Sequence, residues 1–491
     1  MANARAGSGS GSSNRPSESR RWRKPRVRRK HLGRLAPKSK RKLAASHTLW
    51  DRLRLLIRRW QLWAGVAVFF FLTGSRGWGL AATLFAIFFY LASPLFHPAA
   101  YAIETQLTAG SREFRLTMGG ITGSPIYTGN SLEILNNGDE FYPRMLAEIG
   151  RARDSVTMEQ YIYWDSDIGL RFADAFAERA AAGVPVKLLV DAIGSSNIGE
   201  RILKTLEQGG CELAWFRPIK WYTLNRANFR THRKSVIIDG RVAFTGGAGI
   251  AQHWCGAASC PDEWREMQVC VAGRAAIVLQ SGFAQNWLVA TGEMITGERY
   301  FPPAEDFGDV AIQTILSSPN AGAGAAGSMY LLALQCAQES IYIANPYFIP
   351  SKQVIAILSY LSKKGVDIRL MLSGSHCDTW WARQNSIRLY GELLDAGVRI
   401  YEYEPTMLHQ KYMVIDRQWA TIGTTNFDNR SFALNEETNV CFHDPEHVGH
   451  LCRIFFDDLR RCREVERNVW AKRGIQQQGR EFLASLLEDQ V

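Results

Sequence analysis

The sequence predicts an α/β protein with two duplicated lobes, each a mostly parallel sheet flanked by helices. The lobes share one site and follow an N-terminal membrane segment. Three observations predict this. First, His-x-Lys-x4-Asp occurs twice, from His232 through Lys234 to Asp239 and from His409 through Lys411 to Asp416. After six further residues come the small-residue turns Gly246-Gly247 and Gly423-Thr424. Second, the likeness extends on both sides of the motif, which marks an internal duplication: Gly183-Val184-Pro185-Val186 sets against Gly365-Val366-Asp367-Ile368, and Glu266 to Val271 against Glu437 to Phe442. Third, in each half short apolar runs alternate with helical patterns, the order of a sheet covered by helices.

In chain order, residues 1–45 carry fifteen Lys and Arg against one acid, a charge of +14 within a total of +11, so the remainder is slightly acidic. With almost no apolar residues, this stretch is expected to be a disordered polybasic tail. Residues 46–100 are expected to form an interfacial helix and then a membrane hairpin or single span. Trp50, Leu53, Leu56, Ile57 and Trp60 recur at helical spacing against Arg52, Arg58 and Arg59. Two apolar arms, 64–72 and 80–96, are parted by Thr73-Gly74-Ser75-Arg76-Gly77-Trp78-Gly79. A hairpin is preferred because that breaker makes a turn and Arg76 is better placed at an interface than at mid-bilayer. The long basic region and large apolar segment do not fit a cleavable signal.

Residues 101–308 are assigned to the first lobe and 309–491 to the second, with a Pro-, Gly- and Ala-rich connection over 300–328. In the first lobe, Ser155 to Tyr163 reads as a strand, Ile168, Phe172 and Phe176 mark a helix face, and Val186 to Val190 forms a buried strand. Ser340 to Ala344, then Val354, Leu358 and Leu361, then Ile368 to Leu372 repeat that order. Nine cysteines without a Cys-x2-Cys pair indicate neither a zinc site nor a disulfide framework. Cys255 and Cys260 could pair only if their loop faced an oxidising space.

Period-two alternation puts His232 with Lys234, and His409 with Lys411, on one strand face. A duplicated chain would bring the two pairs together across a pseudo-two-fold axis. Such a site suits a phosphodiester: lysines neutralise charge building on phosphorus, one imidazole attacks and the other protonates the leaving oxygen, with no metal or cofactor required. The imidazoles then need opposite protonation states, so environments that separate their pKa values are expected. Glu266 and Glu437 could each orient an imidazole through its second nitrogen, with a surface position as the alternative.

The doubled motif, with Gly423-Thr424-Thr425-Asn426-Phe427-Asp428-Asn429-Arg430-Ser431-Phe432 and Leu434-Asn435-Glu436-Glu437, resembles the phospholipase D superfamily, and within it the bacterial cardiolipin synthases. The likeness covers roughly residues 122–470. It implies a phosphatidyl-histidine intermediate, with His232 the nucleophile, His409 the acid and later base, and Lys234, Lys411 and Asn426 binding phosphoryl oxygens. Asp239 and Asp416 belong to the motif, more as supports than as reacting groups. One departure stands out: Gly249 occupies the first-lobe position of Asn426, leaving that lobe one side-chain donor short.

Before the first motif come Lys220-Trp221-Tyr222, Arg226, Asn228, Arg230 and Arg233. Basic residues among aromatics suit either single-stranded nucleic acid or anionic lipid headgroups. The membrane segment favours lipid, so Tyr222, Arg230 and Arg233 are expected at the substrate, with anionic phospholipid and membrane as partners and no nucleic acid. The expected protein is a transphosphatidylase of the bacterial cytoplasmic membrane that joins two phosphatidylglycerols into cardiolipin and releases glycerol. Hydrolytic phospholipase D activity, headgroup exchange on phosphatidylethanolamine and, more remotely, a nucleic-acid phosphodiesterase are the alternatives.

Overall fold

The computed structural model describes residues 56–92, 107–219, 228–319 and 324–487. The polybasic tail, the start of the interfacial helix and the loop containing Tyr222 lie outside these residues.

Two helices come first, α1 (Trp60–Leu72) and α2 (Arg76–Ala92). Trp60 meets Tyr90, Trp63 stacks on Phe85 and Phe70 faces Trp78, so the helices run antiparallel as a hairpin. The turn follows from Gly74, whose φ of 80° is the left-handed conformation that ends a helix. Its N–H bonds to Phe71 O and the Ser75 N–H to Phe70 O, closing the last turn of α1. Among the described residues no helix is long and apolar enough to cross a membrane.

The first lobe comprises α3 (Arg112–Thr122), β1 (Tyr127–Asn136), α4 (Asn137–Arg151), β2 (Val156–Gln160), α5 (Asp167–Ala181), β3 (Val186–Asp191), α6 (Glu200–Gly209), β4 (Glu212–Phe216), β5 (Ser235–Ile238), β6 (Val242–Gly246), β7 (Met267–Ala272) and α7 (Arg274–Thr291). The second comprises β8 (Val310–Ser317), α8 (Ala325–Gln335), β9 (Ser340–Asn345), α9 (Lys352–Lys363), β10 (Asp367–Ser373), α10 (Trp380–Asp395), β11 (Arg399–Tyr403), β12 (Tyr412–Ile415), β13 (Trp419–Gly423), α11 (Asn429–Ala433), β14 (Glu437–Phe442), α12 (Pro445–Leu459), β15 (Cys462–Glu464), α13 (Arg467–Ala471) and α14 (Ile475–Ser485). Although α3 belongs to the first-lobe part of the chain, Phe114 and Met118 pack into the second lobe's core, with Phe114 edge-on to Trp419.

The expected mostly parallel sheets are corrected by the strand directions. The strands form one mixed order, β15-β11-β10-β9-β12-β13-β14-β8-β1-β7-β6-β5-β2-β3-β4. Only β2-β3-β4 and β9-β10-β11 are parallel, joined by helical crossovers as the alternation implied. The motif strands β5 and β12 instead run antiparallel to both neighbours. Each motif ends in a tight hairpin, and a hairpin reverses direction where a crossover preserves it.

The hairpin turns explain the motif aspartates. Asp239 and Gly240 have φ of 55° and 63°, and Asp416 and Arg417 have 53° and 55°, paired left-handed residues that begin the three-residue hairpin loops 239–241 and 416–418. Asp239 also accepts from the N–H groups of Arg153, Asp154 and Ser155, and Asp416 from those of Gln338, Glu339 and Ser340. Each carboxylate therefore ties its hairpin to the start of β2 or β9. It sits five residues beyond the motif lysine, roughly 16 Å along the strand, and acts as a support.

Candidate active site

The two motifs reach one place because backbone from each lobe pins the other. The His232 N–H donates to Glu436 O at 2.9 Å, and the Glu436 N–H to Arg230 O at 2.9 Å. In the mirrored arrangement, the His409 N–H donates to Arg265 O and the Arg265 N–H to Met407 O, both at 2.8 Å. Each pinned segment ends just before a glutamate at the start of a strand, Glu437 as the first residue of β14 and Glu266 immediately before β7, so the carboxylates are exchanged between lobes. Glu437 receives His232 Nδ1 at 3.0 Å, and Glu266 lies 2.5 Å from His409 Nδ1. Both glutamates are fully buried, which removes the surface alternative. The imidazoles retain slight exposure, 9% for His232 and 6% for His409.

Lys234 Nζ donates to His232 O at 3.0 Å, and Lys411 Nζ to His409 O at 2.5 Å. The charge of Lys411 acts on His232 and that of Lys234 on His409, so all four groups form one electrostatic unit. Burial dominates it, since removing a cation from water disfavours the charged form. Burial lowers Lys234 to about 7 and Lys411 to about 8 despite the glutamates. It also lowers His232 to about 4, against the attraction of Glu437, and His409 well below its usual range, with the lysines adding to the effect.

The carboxyls separate more clearly than the imidazoles. Burial raises Glu266 to about 7, only partly opposed by Lys411 and the Met267 N–H. Burial also pushes Glu437 upward, but its attraction and hydrogen bond to His232, with Lys234 and Thr424, carry it below the usual value. Glu437 is thus held as a carboxylate more firmly than Glu266, an inequality suited to separate acid and base roles.

Asn426 follows the Gly423-Thr424 turn and is buried, and its Oδ1 has no hydrogen-bond partner among the described residues. At the matching position, a Cβ on Gly249 would lie 2.7 Å from Ile162 O and 2.8 Å from the Trp254 ring. Trp254 fills the space an asparagine would need, so the missing donor is a packing consequence. Gly246 and Gly423 are also sterically required: a Cβ there would lie 2.4 Å from Met267 O or 2.3 Å from Thr438 O.

The arginines correct the expectation for the substrate side. Arg233 is 2% exposed and pairs with Glu436 at 3.2 Å while donating to Gly282 O at 2.9 Å. Strand alternation explains this, because it lies between His232 and Lys234 and faces away from them. Arg230 is 1% exposed and donates to Arg217 O at 2.7 Å and Phe229 O at 3.0 Å, with Asp191 at 3.5 Å. Both guanidiniums brace the motif entrance.

Some neighbours are absent from the motif. Tyr161 packs edge-on to His232 with ring centroids 5.3 Å apart, and Tyr347 approaches His409 at 6.5 Å. They lie just past β2 and β9 but one residue out of step in the repeat, where Tyr161 matches Pro346 and Ile162 matches Tyr347, so aligning the repeats does not mark them. Trp254 and Trp264 pack against His409 at 5.6 and 5.2 Å. No repeat or spacing marks these indoles.

Two lobes joined about exchanged His–Glu pairs, with a lysine beside each imidazole, define a class of two-motif phosphodiester-transfer proteins. A family model described as cardiolipin synthase, PLD-like domain, matches residues 145–278 and 330–459. The chain is 33% identical over 362 residues to cardiolipin synthase 1 of Bacillus anthracis, covering 72% of this chain and 71% of that relative. It is 32% identical over 366 residues to the cardiolipin synthase of Geobacillus kaustophilus, covering 74% and 73%. The crystal structure of phosphatidylserine synthase from Haemophilus influenzae Rd KW20 shares the fold, with a TM-score of 0.60 at 12% identity over 77% of this chain and 100% of that one. The chain belongs to the phospholipase D-like cardiolipin synthase family.

Proposed function

We propose that the protein is a membrane-anchored phosphatidyltransferase that makes cardiolipin and glycerol from two phosphatidylglycerols. The observation that carries this reading is the meeting of two exchanged His–Glu pairs beside two buried lysines. With Glu437 ionised, the Nδ1–H of His232 is engaged and Nε2 offers its lone pair. Nε2 bonds to phosphorus, the bond from phosphorus to the glycerol oxygen breaks, and His409 protonates the leaving oxygen. The second phosphatidylglycerol then gives its hydroxyl proton to His409 and its oxygen attacks phosphorus. The phosphorus–nitrogen bond breaks, returning both imidazoles to their starting states. Lys234, Lys411 and Asn426 hold the nonbridging oxygens, where positive charge is worth most as negative charge develops.

The helical hairpin supports the membrane reading. Phe69, Leu72, Trp78 and Leu84 are at least 60% exposed on it, an apolar surface suited to lipid. At 13 and 17 residues, α1 and α2 extend about 20 and 26 Å, short of a hydrocarbon core of about 30 Å. The hairpin enters and returns on the same side, keeping the polybasic tail and catalytic body in the cytoplasm of a bacterial cell. A membrane-impermeant maleimide directed at a cysteine placed after Arg480 tests this sidedness in intact cells. Protection until lysis is expected, and labelling without lysis would refute it.

The chemical reading is tested by giving purified protein phosphatidylglycerol vesicles and identifying products by mass spectrometry. Cardiolipin and glycerol in equal amounts are expected. Phosphatidic acid as the sole lipid product would make water the acceptor and the protein a hydrolytic phospholipase D.

A further inference from the structure

We infer that Thr424 is the positioning residue that makes the two halves of the site unequal, by holding Glu437 as the acceptor that fixes the His232 tautomer. This deepens the phosphatidyl-transfer reading and rests on it. The hydroxyl of Thr424 accepts the Thr438 N–H at 2.9 Å, so its proton is available to donate to Glu437 Oε2, 2.5 Å away. Both Glu437 oxygens lie 3.0 Å from His232 Nδ1, and Asn435 Nδ2 approaches Oε1 at 3.5 Å. A carboxyl ringed by donors is held as a carboxylate. It therefore accepts from Nδ1–H and leaves Nε2 of His232 unprotonated.

The first lobe lacks this device. The position of Thr424 is Gly247 there, and the Glu266 carboxyl lies so near that a Cβ on Gly247 would be 2.3 Å from Oε2. Glu266 receives the Met267 N–H at 2.8 Å and faces His409, with no hydroxyl donor from the turn. The contrast is encoded by one methyl-bearing hydroxyl against a hydrogen atom at equivalent turns. The remaining charged or titratable groups acting on the His232–Glu437 pair are Lys234, Lys411, His409, Tyr330 and Asp428. Tyr161 packs against the ring of His232 itself.

The test follows carbethoxylation of each histidine by diethylpyrocarbonate against pH, resolved by peptide mass spectrometry, in full-length wild type, Thr424→Val, Thr424→Ala and Thr424→Ser. The reagent attacks unprotonated imidazole and requires no lipid, so its result is independent of whether cardiolipin is the product. In wild type, His232 and His409 should show different midpoints, and equal midpoints would overturn the inference whether or not any variant folds. Removing the hydroxyl raises the proton affinity of the His232–Glu437 pair. Thr424→Val and Thr424→Ala should thus move the His232 midpoint up by about one pH unit, about a tenfold slower reaction on its acid side. The His409 midpoint should stay in place and Thr424→Ser should match wild type. The acid limb of kcat/KM with phosphatidylglycerol should move with the His232 midpoint. An unmoved His232 midpoint in folded Thr424→Val, or equal movement of both histidines, would refute a positioning role.

Discussion

At the scale of single residues, the site consists of two nearly identical pairs in unequal surroundings, and variants should expose the inequality. His232→Ala should abolish product, because no other residue in the motif supplies a nucleophile. His409→Ala should lose most turnover yet still trap a phosphoryl adduct on His232 from a substrate with a good leaving group, since it chiefly removes the acid. Intact-mass analysis distinguishes the two. An adduct in His232→Ala and none in His409→Ala would reverse the roles. The pH profile follows from the same inequality. His232, the proposed nucleophile, is lowered by burial to about 4 and is unprotonated above that value. The Glu266–His409 pair must keep its proton, and Glu266 at about 7 releases one as pH rises through neutrality. Over the same range Lys234 and Lys411, at about 7 and 8, lose the charge that stabilises the transition state. Activity should thus hold on the acid side of neutrality and fall by at least about tenfold per unit on the alkaline side, measured as kcat/KM on vesicles of fixed composition. A limb that rises through pH 8 would contradict this ordering.

At the scale of elements, the hairpins carrying the motifs are fixed at their far ends. Each motif aspartate satisfies three backbone N–H groups at the start of a neighbouring strand, and removing the acceptor takes that partner from all three, including the one at buried Ser155 or Ser340. Asp416→Ala should cost about 2–4 kcal/mol of stability, judged from the usual worth of hydrogen bonds to charged groups. Thermal unfolding should show the loss, while the folded fraction at low temperature keeps turnover within a fewfold of wild type. Turnover abolished in fully folded Asp416→Ala would instead make the aspartate part of the chemistry. Gly240 belongs to the same device: it has positive φ and a Cβ there would lie 2.4 Å from Tyr300 O, so the first hairpin also fixes the approach of residues 300–302.

At the scale of the whole molecule, the lobes are interdependent because each supplies the carboxylate that orients the other's histidine. Arg265 strengthens that junction, with Asp458 at 2.9 Å and Asn137 Oδ1 at 2.8 Å, linking the first-lobe glutamate segment to helix α12 of the second lobe. The proposed membrane attachment is a separate matter of charge and apolar surface. Deleting residues 1–45, with fifteen basic residues, should weaken binding to anionic vesicles at low salt and leave binding at high salt little changed. Vesicle sedimentation at two ionic strengths measures this. Equal binding of the full-length and shortened proteins at low salt would assign attachment to the helical hairpin alone.

The sequence by itself determined the duplication, the four motif groups and the breaker between the apolar arms, and favoured a hairpin over a single span, because each is written in local spacing. A two-residue period puts His232 beside Lys234, and a glycine free to take positive φ ends α1 at Gly74. It also identified Glu266 and Glu437 as matched positions in the repeat. Only the tertiary structure decided that these glutamates serve the opposite lobe, since an intralobe and an exchanged pairing have the same sequence spacing and differ only in which backbone segments pin each other. The same holds for strand direction, because alternation reveals which residues are buried and not which way a strand runs. Arg230 and Arg233 were drawn toward the substrate by their charge, and the structure commits them to carbonyls and carboxylates that local sequence does not bring near. Gly247 against Thr424 was visible as a difference between repeats. Its meaning required the distance from each turn to a buried carboxyl, a quantity set by packing across the whole sheet.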